Sequence, residues 1–286
     1  MIDPAISAFF IILCITTSAD DTVQLSDFRD NLSFPPPIMI YYSSSQYTVI
    51  PDFTIFHIVQ SLNSNQKESN FKDKRTIVMQ ETGIILAGGA STRFGQDKAF
   101  LQLNSKPLLR HVLDAIENIV EEIIIVVSSE AQGSMASRTL ASDARIVIDH
   151  GNLGGPLIGA STGFKEALGE YSLVLSCDTP FISKDVLLFL LESRIEKDAV
   201  IPLWPNGYFE PLQAVYRTRP AFRAALQALK AGESDIRSMI ERLQKVHYVS
   251  TTVLKLLDPN LRTFFNVNTR QDLDRAESLR KSQMNT

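Results

Sequence analysis

The stretch Gly83–Lys98, GIILAGGASTRFGQDK, decides how the rest of the chain is read. Its opening, Gly83-Ile84-Ile85-Leu86-Ala87, is short, apolar and closed by Gly88-Gly89, the pattern of a buried parallel strand that runs into a tight turn. The continuation, Leu86 to Lys98 (LAGGASTRFGQDK), joins Gly88, Gly89 and Gly95 to two cations, Arg93 and Lys98. Glycine lets backbone N–H groups come close to phosphate oxygens, and the cations supply fixed charge for a polyanion. The loop is not a Walker A sequence, because no Gly-Lys-Ser/Thr closes it, and it is not the dinucleotide G-x-G-x-x-G pattern. A lone Gly-Gly would be read as an ordinary strand–helix turn. The combination of glycines, Arg, Asp and Lys in one loop weighs against that reading.

Outward from this loop, strand and helix signals alternate. Leu108, Leu109, Val112, Leu113 and Ile116 fall on one helical face after Pro107, which is expected at the first helical position. Ile123–Val127, Arg145–Ile148 and Ser172–Cys177 read as further buried strands, with a helix over Pro156–Leu168 between the last two. Ser183 is expected to cap a helix over Asp185–Arg194. Ala199–Leu203 and Leu212–Tyr216 read as strands. Pro220 opens a helix that Gly232 can end, and Thr269-x-x-Asp272 opens the last one as a capping-box variant. This alternation predicts an α/β fold, a doubly wound and mainly parallel sheet flanked by helices. Ligands of such sheets bind at the carboxyl ends of the strands, so motifs that follow strands converge on one crevice.

One such motif is Ser176-Cys177-Asp178-Thr179-Pro180, which sets a carboxylate just past a buried strand. Magnesium takes oxygen ligands and is commonly held by one or two carboxylates plus substrate phosphates. Asp178 suits that role; alone, it would be read as a turn residue bonding the backbone ahead of Pro180. Cys177 beside it points to the other face as a small core residue.

The loop LAGGASTRFGQDK resembles the signature loop of the molybdenum cofactor guanylyltransferases and their relatives among the Rossmann-like nucleotidyltransferases, and four further motifs follow in the family's order. These are the Gly155-Pro156-Leu157 element preceded by Asp149, the Cys177-Asp178-Thr179-Pro180 element, Glu210-Pro211-Leu212-Gln213, and Phe265-Asn266-Val267-Asn268-Thr269. The resemblance implies a nucleotide-diphospho-sugar transferase type of fold over residues 79–286. It implies that Leu86, Ala87, Gly88, Gly89 and Asp149 contact the nucleotide, that Lys98 holds its phosphates with Arg93, and that Asp178 binds Mg²⁺. Asn268 is the choice for the acceptor side or the metal, and Asn266 for a turn. Phe94 stands where relatives have Met, and Ser128 or Ser129 where some have a nucleotide-binding Asn. Asp97 is expected to orient the cations. His150 is not expected to act as a base.

The implied reaction is transfer of GMP from GTP to molybdopterin, with release of pyrophosphate. Guanine rather than cytosine rests on Gly89, since CMP-transferring relatives have Ala there. A cytidylyl- or sugar-phosphate nucleotidyltransferase of the same fold, and a non-catalytic nucleotide-binding subunit, stay open as alternatives. Molybdoenzymes or their chaperones are the further partners implied.

The whole chain has 286 residues, is 44% apolar and 21% charged, and carries a net charge of −4. That is a globular composition without the basic surface a nucleic-acid partner needs. Two cysteines, Cys14 and Cys177, build no disulfide framework, which favours the cytoplasm. Residues 1–78 lie outside the resemblance. The apolar run Ala5–Thr17 is shorter than the roughly 20 residues of a membrane-crossing helix, and Asp3 stands where a leader carries positive charge. No stable membrane association is expected. The segment is read either as an extension that targets or docks the protein, or as upstream sequence joined to a gene that starts at Met79. The second reading is favoured.

Overall fold

The apolar run that opens the domain forms β1 (Glu81–Leu86), buried at every residue. In the computed structural model the described residues are 81–88, 97–140, 142–149 and 155–284. Residues 1–78 therefore lie outside them, and so do Gly89, Arg93, Phe94, Gly95 and His150. After a single 3-10 turn at Lys98–Phe100 come β2 (Gln102–Leu103) and β3 (Lys106–Pro107), a short antiparallel hairpin. In α1 (Leu108–Ile116) the five residues expected on one face are all buried. Pro107 stands at the N-cap rather than in the first turn, where its missing N–H again costs no helical hydrogen bond.

The alternation continues through β4 (Glu122–Val127), α2 (Glu130–Leu140), β5 (Arg145–Ile148), α3 (Pro156–Glu166), β6 (Tyr171–Ser176), α4 (Lys184–Glu192) and β7 (Ala199–Leu203). The chain closes with β8 (Gln213–Arg217), α5 (Thr218–Lys230), α6 (Ile236–Ile240), β9 (Val246–Ser250), α7 (Thr251–Leu254) and α8 (Arg270–Met284). Gly232 follows α5 at φ 81°, the left-handed stop expected of it. Ser183 does occupy the N-cap of α4, but its hydroxyl makes no capping bond, a correction to the expected role. Among the described residues no helix is long and apolar enough to cross a membrane.

The main sheet has the order β5-β4-β1-β6-β8-β7-β9. It is parallel except at β8, which runs antiparallel to both β6 and β7. Because side chains alternate along a strand, Ile85 enters the core shared with α1, α2 and α4, while Ile84 and Leu86 enter the core shared with α3, α5 and α6. Each fully buried aliphatic chain contributes about 1.5–3 kcal/mol relative to exposure. A third cluster joins Leu101, Leu103 and Leu108 to Val267, Leu273 and Ala276, and so ties the segment after Lys98 to the start of α8.

From β1 the chain winds outward through β4 to β5. It then crosses along the opposite face in α3 and returns to β6, on the other side of β1. The strand order therefore reverses between β1 and β6, and the crevice at their carboxyl ends is where such a sheet binds its ligand.

Candidate active site

At the reversal the ladder runs on past the strand ends. Ala87 N–H donates to Val126 C=O at 2.8 Å, Cys177 N–H to Leu86 C=O at 3.1 Å, and Asp149 N–H to Val127 C=O at 2.7 Å. Gly88, Asp149 and Asp178 are thereby delivered to one edge of the sheet. Leu86 and Ala87 are both buried, with the Leu86 C=O and the Ala87 N–H bonded to neighbouring strands, so they form the floor of the crevice. Gly88 is the exposed member. A Cβ added there would stand 3.4 Å from both Cβ and N of Ser128, so the chain passes close against β4.

Asp178 is fixed from three directions. Its C=O accepts from Val267 N–H at 2.9 Å, its Oδ1 from Ser176 Oγ at 2.6 Å, and its Oδ2 pairs with the Lys98 ammonium. The same ammonium donates to Asn268 Oδ1 at 2.7 Å. Residues 80 and 170 positions apart in sequence thus meet on one cation. An ammonium has three N–H donors, so one remains for a further acceptor. The side chains of Lys98 and Asp178 are 19% and 13% exposed, open enough for a ligand yet only weakly screened by water.

Asn268 is set by the capping box read from the sequence. Asp272 accepts from the backbone N–H of Asn268 (3.0 Å) and Thr269 (2.7 Å), and from the Thr269 hydroxyl (2.8 Å). These bonds, that from the Thr269 hydroxyl foremost, hold the Asp272 carboxyl below its ordinary pKa. Asn266 bonds locally to Phe264 C=O at 3.4 Å, and its segment is irregular rather than the strand expected.

Among the described residues Asp97 makes no ion pair with Lys98, and Arg93, the other cation it was expected to orient, lies outside them. Asp97 caps the 3-10 turn through Ala99 N–H at 3.0 Å, and burial raises its pKa. The Gly-Pro-Leu element packs as its glycine demands: Gly155 has φ 124°, and a Cβ there would meet Ser234 C=O at 2.6 Å. The Glu210-Pro211-Leu212-Gln213 element buttresses the Asp178 loop. Leu212 C=O accepts from Ser176 N–H at 3.1 Å, and buried Glu210 accepts from Trp204 Nε1 at 2.7 Å. Burial also pushes the Cys177 thiol far up, as its core role requires.

One residue went unread in the sequence. Buried Gln132 of α2 donates to Ala87 C=O at 2.6 Å and accepts from Ser128 N–H at 2.7 Å and from its hydroxyl at 3.1 Å. It clamps the end of β1, at Ala87, to the end of β4. The available signal was the helical stripe Gln132-Ala136-Leu140, in which a glutamine holds a core position.

A doubly wound sheet that gathers a lysine, an aspartate and an asparagine near an exposed glycine, Gly88, at its switch point defines a nucleotidyltransferase class. The comparisons agree, and the chain belongs to the family described as the MobA-like NTP transferase domain, whose model matches residues 83–246. The chain is 31% identical over 215 residues to a probable molybdenum cofactor guanylyltransferase of Methanosarcina mazei, covering 73% of this chain and 94% of that one. It is 33% identical over 205 residues to a molybdenum cofactor guanylyltransferase of Desulfosudis oleivorans, covering 70% and 96%. Among solved structures it is similar to molybdopterin-guanine dinucleotide biosynthesis protein A of Archaeoglobus fulgidus, with TM-score 0.61, 28% identity and coverage of 70% and 99%.

Proposed function

We propose that this protein transfers GMP from GTP to a terminal phosphate of molybdopterin, giving the guanine dinucleotide cofactor and pyrophosphate. The observation that carries the reading is the junction of Lys98 with both Asp178 and Asn268 at the β1/β6 switch point; the named relatives supply the substrates. The acceptor phosphate oxygen attacks the α-phosphorus of GTP in line. A new P–O bond forms as the bond to the β-phosphate bridging oxygen breaks, and pyrophosphate carries away the electron pair. No protein nucleophile is needed, so the chain contributes positioning and charge. Lys98 neutralises phosphate charge with its remaining donor. Gly88 lets the backbone lie close to the nucleotide, with Gly89 and Arg93 continuing the loop, and Asp149 contacts the nucleotide from the β5 side.

Asp178, with the Asn268 side-chain oxygen beside the same lysine, gives an all-oxygen donor set that fits Mg²⁺. Among the described residues no three His, Cys, Asp or Glu gather as a metal cage, and Mg²⁺ held partly by substrate phosphates needs none. Bound there, the ion would offset charge on the phosphates. The cytoplasm is the proposed compartment, and residues 79–286 the catalytic domain.

Calorimetry of the protein with GTP, CTP, ATP and UTP in Mg²⁺ tests the reading, followed by a pyrophosphate-release assay with molybdopterin. Selective GTP binding and acceptor-dependent pyrophosphate release are expected. Preference for CTP moves the assignment to a cytidylyltransferase, and failure to bind any of the four sinks it.

A further inference from the structure

A cavity of about 610 Å³ lies between α1, the amino end of α4, the 257–262 loop and α8. None of Lys98, Asp178 and Asn268 lines it. One part of its wall is apolar, with Phe181, Ile182 and Leu257, while Lys184, Arg262 and Arg280 bring three cations to the rest. The acids that reach it are already engaged. Asp114 is paired with Lys106 and Arg110, and Asp258 accepts from the Thr263 N–H (2.8 Å) and hydroxyl (2.9 Å). The cations are not neutralised in the same way. Among the described residues the ion pairs include none with Lys184 or Arg262, and the buried Nε of Arg280 has no hydrogen-bond partner.

Arg280 is nonetheless held in place. Its Nη2 donates to His111 Nδ1 at 2.8 Å, and its guanidinium stands 5.5 Å from the centre of the Phe181 ring. His111 Nε2 lies 3.0 Å from Leu103 C=O, so that nitrogen carries the proton and Nδ1 is left to accept. Ser183, whose hydroxyl caps nothing, adds a further donor at the amino end of α4.

We propose that this cavity is a second small-molecule site, taking a phosphate-bearing ligand with a flat, apolar body. The volume is that of small-molecule sites, guanidinium and ammonium groups match a phosphate dianion, and the apolar wall matches a ring. The proposal does not rest on the nucleotide reading, since it uses none of the same residues.

Pyridoxal 5′-phosphate is a suitable probe: it joins a phosphate to a flat ring, and its aldehyde condenses with a neighbouring lysine amine, losing water. Borohydride then reduces the imine, delivering hydride to carbon while nitrogen takes a proton from water. The full-length protein is labelled over a range of probe concentrations and the modified lysines are mapped by mass spectrometry. Lys184 is expected to label at a concentration about tenfold below that needed for exposed Lys281, a difference of about 1.4 kcal/mol in binding. Millimolar inorganic phosphate suppresses that labelling, and Arg280→Gln and Arg262→Gln each raise the required concentration about tenfold. Arg262 has no ion pair to lose, so its variant remains informative if Arg280→Gln fails to fold. Equal labelling of Lys184 and Lys281, or labelling unchanged in Arg262→Gln, overturns the proposal.

Discussion

Lys98 donates to Asp178 and Asn268 at once, and both partners are themselves anchored, Asp178 by Ser176 Oγ and Asn268 through Asp272. A lysine fixed at two points has little freedom left to lose when a phosphate takes its third donor. Lys98→Ala is therefore expected to lower kcat/KM by about 10²–10³, the scale of one lost charge-stabilising donor. Asn268→Ala, which frees the ammonium without removing it, should lose roughly tenfold to a hundredfold. Steady-state kinetics checks both, and an Asn268→Ala loss equal to that of Lys98→Ala would mean that Asn268 does more than hold the lysine. Lys98, Asp178 and Asn268 were legible in the sequence because each follows a strand end or sits in a motif of fixed spelling. Gln132 was not: its partner Ala87 lies 45 positions away, and nothing in its own helix announces the pairing. Gln132→Ala leaves Ala87 C=O and Ser128 N–H without their partner and should destabilise by about 1–3 kcal/mol. Denaturant unfolding measures this, and a cost below about 0.5 kcal/mol, the scale of an unremarkable surface change, would deny the clamp.

At the level of elements, most of the sheet's strands and the helices α1, α3, α4, α5 and α8 were readable because apolar runs and caps are local signals, whereas α2, α6, β9 and α7 were not read. Their order in the sheet is not local. Gln213–Arg217 spells a strand, but its antiparallel place between β6 and β7 follows from how the 204–212 connection returns, and no residue within the strand encodes that. The β2–β3 hairpin was likewise missed, being only two residues a side. Yet this hairpin region matters, because Leu101, Leu103 and Leu108 pack on Val267, Leu273 and Ala276 and so press the Lys98 segment against the Asn268 segment. Leu273 is 2% exposed. Leu273→Ala is expected to cost about 2–5 kcal/mol as a core truncation. It should also lower kcat at temperatures where the variant is still folded. Activity lost only in proportion to the unfolded fraction would show that the cluster supports the fold without aligning the site.

For the whole molecule, the pH dependence of stability has a source at the opposite end of β1 from the crevice. Glu81 is buried, its Oε1 pairs with Arg194, and its N–H donates to Glu121 Oε2 at 3.0 Å. Glu81 thus has a second carboxylate, Glu121, on one side and the Arg194 guanidinium on the other. Burial raises the Glu81 pKa most, Arg194 opposes it, and Glu121 adds to the rise, leaving it at about 7 against an ordinary 4.5. A carboxyl with a raised folded-state pKa binds more protons folded than unfolded throughout that interval. Its contribution to stability is therefore complete below about 4.5 and is lost as pH climbs through about 7. The loss is on the order of 3–4 kcal/mol, since the difference spans about 2.5 units and each unit corresponds to about 1.4 kcal/mol. Buried histidines such as His111, whose pKa burial lowers, act in the opposite sense, so total stability alone cannot isolate the effect. The difference between the protein and its Glu81→Gln variant can, because every other titrating group cancels. Urea unfolding of both at pH 5 and pH 8 should show the variant gaining on the parent as pH rises. A difference that stays flat across that range would mean that Arg194 keeps Glu81 ionised throughout, and that the strand base is an ordinary ion pair.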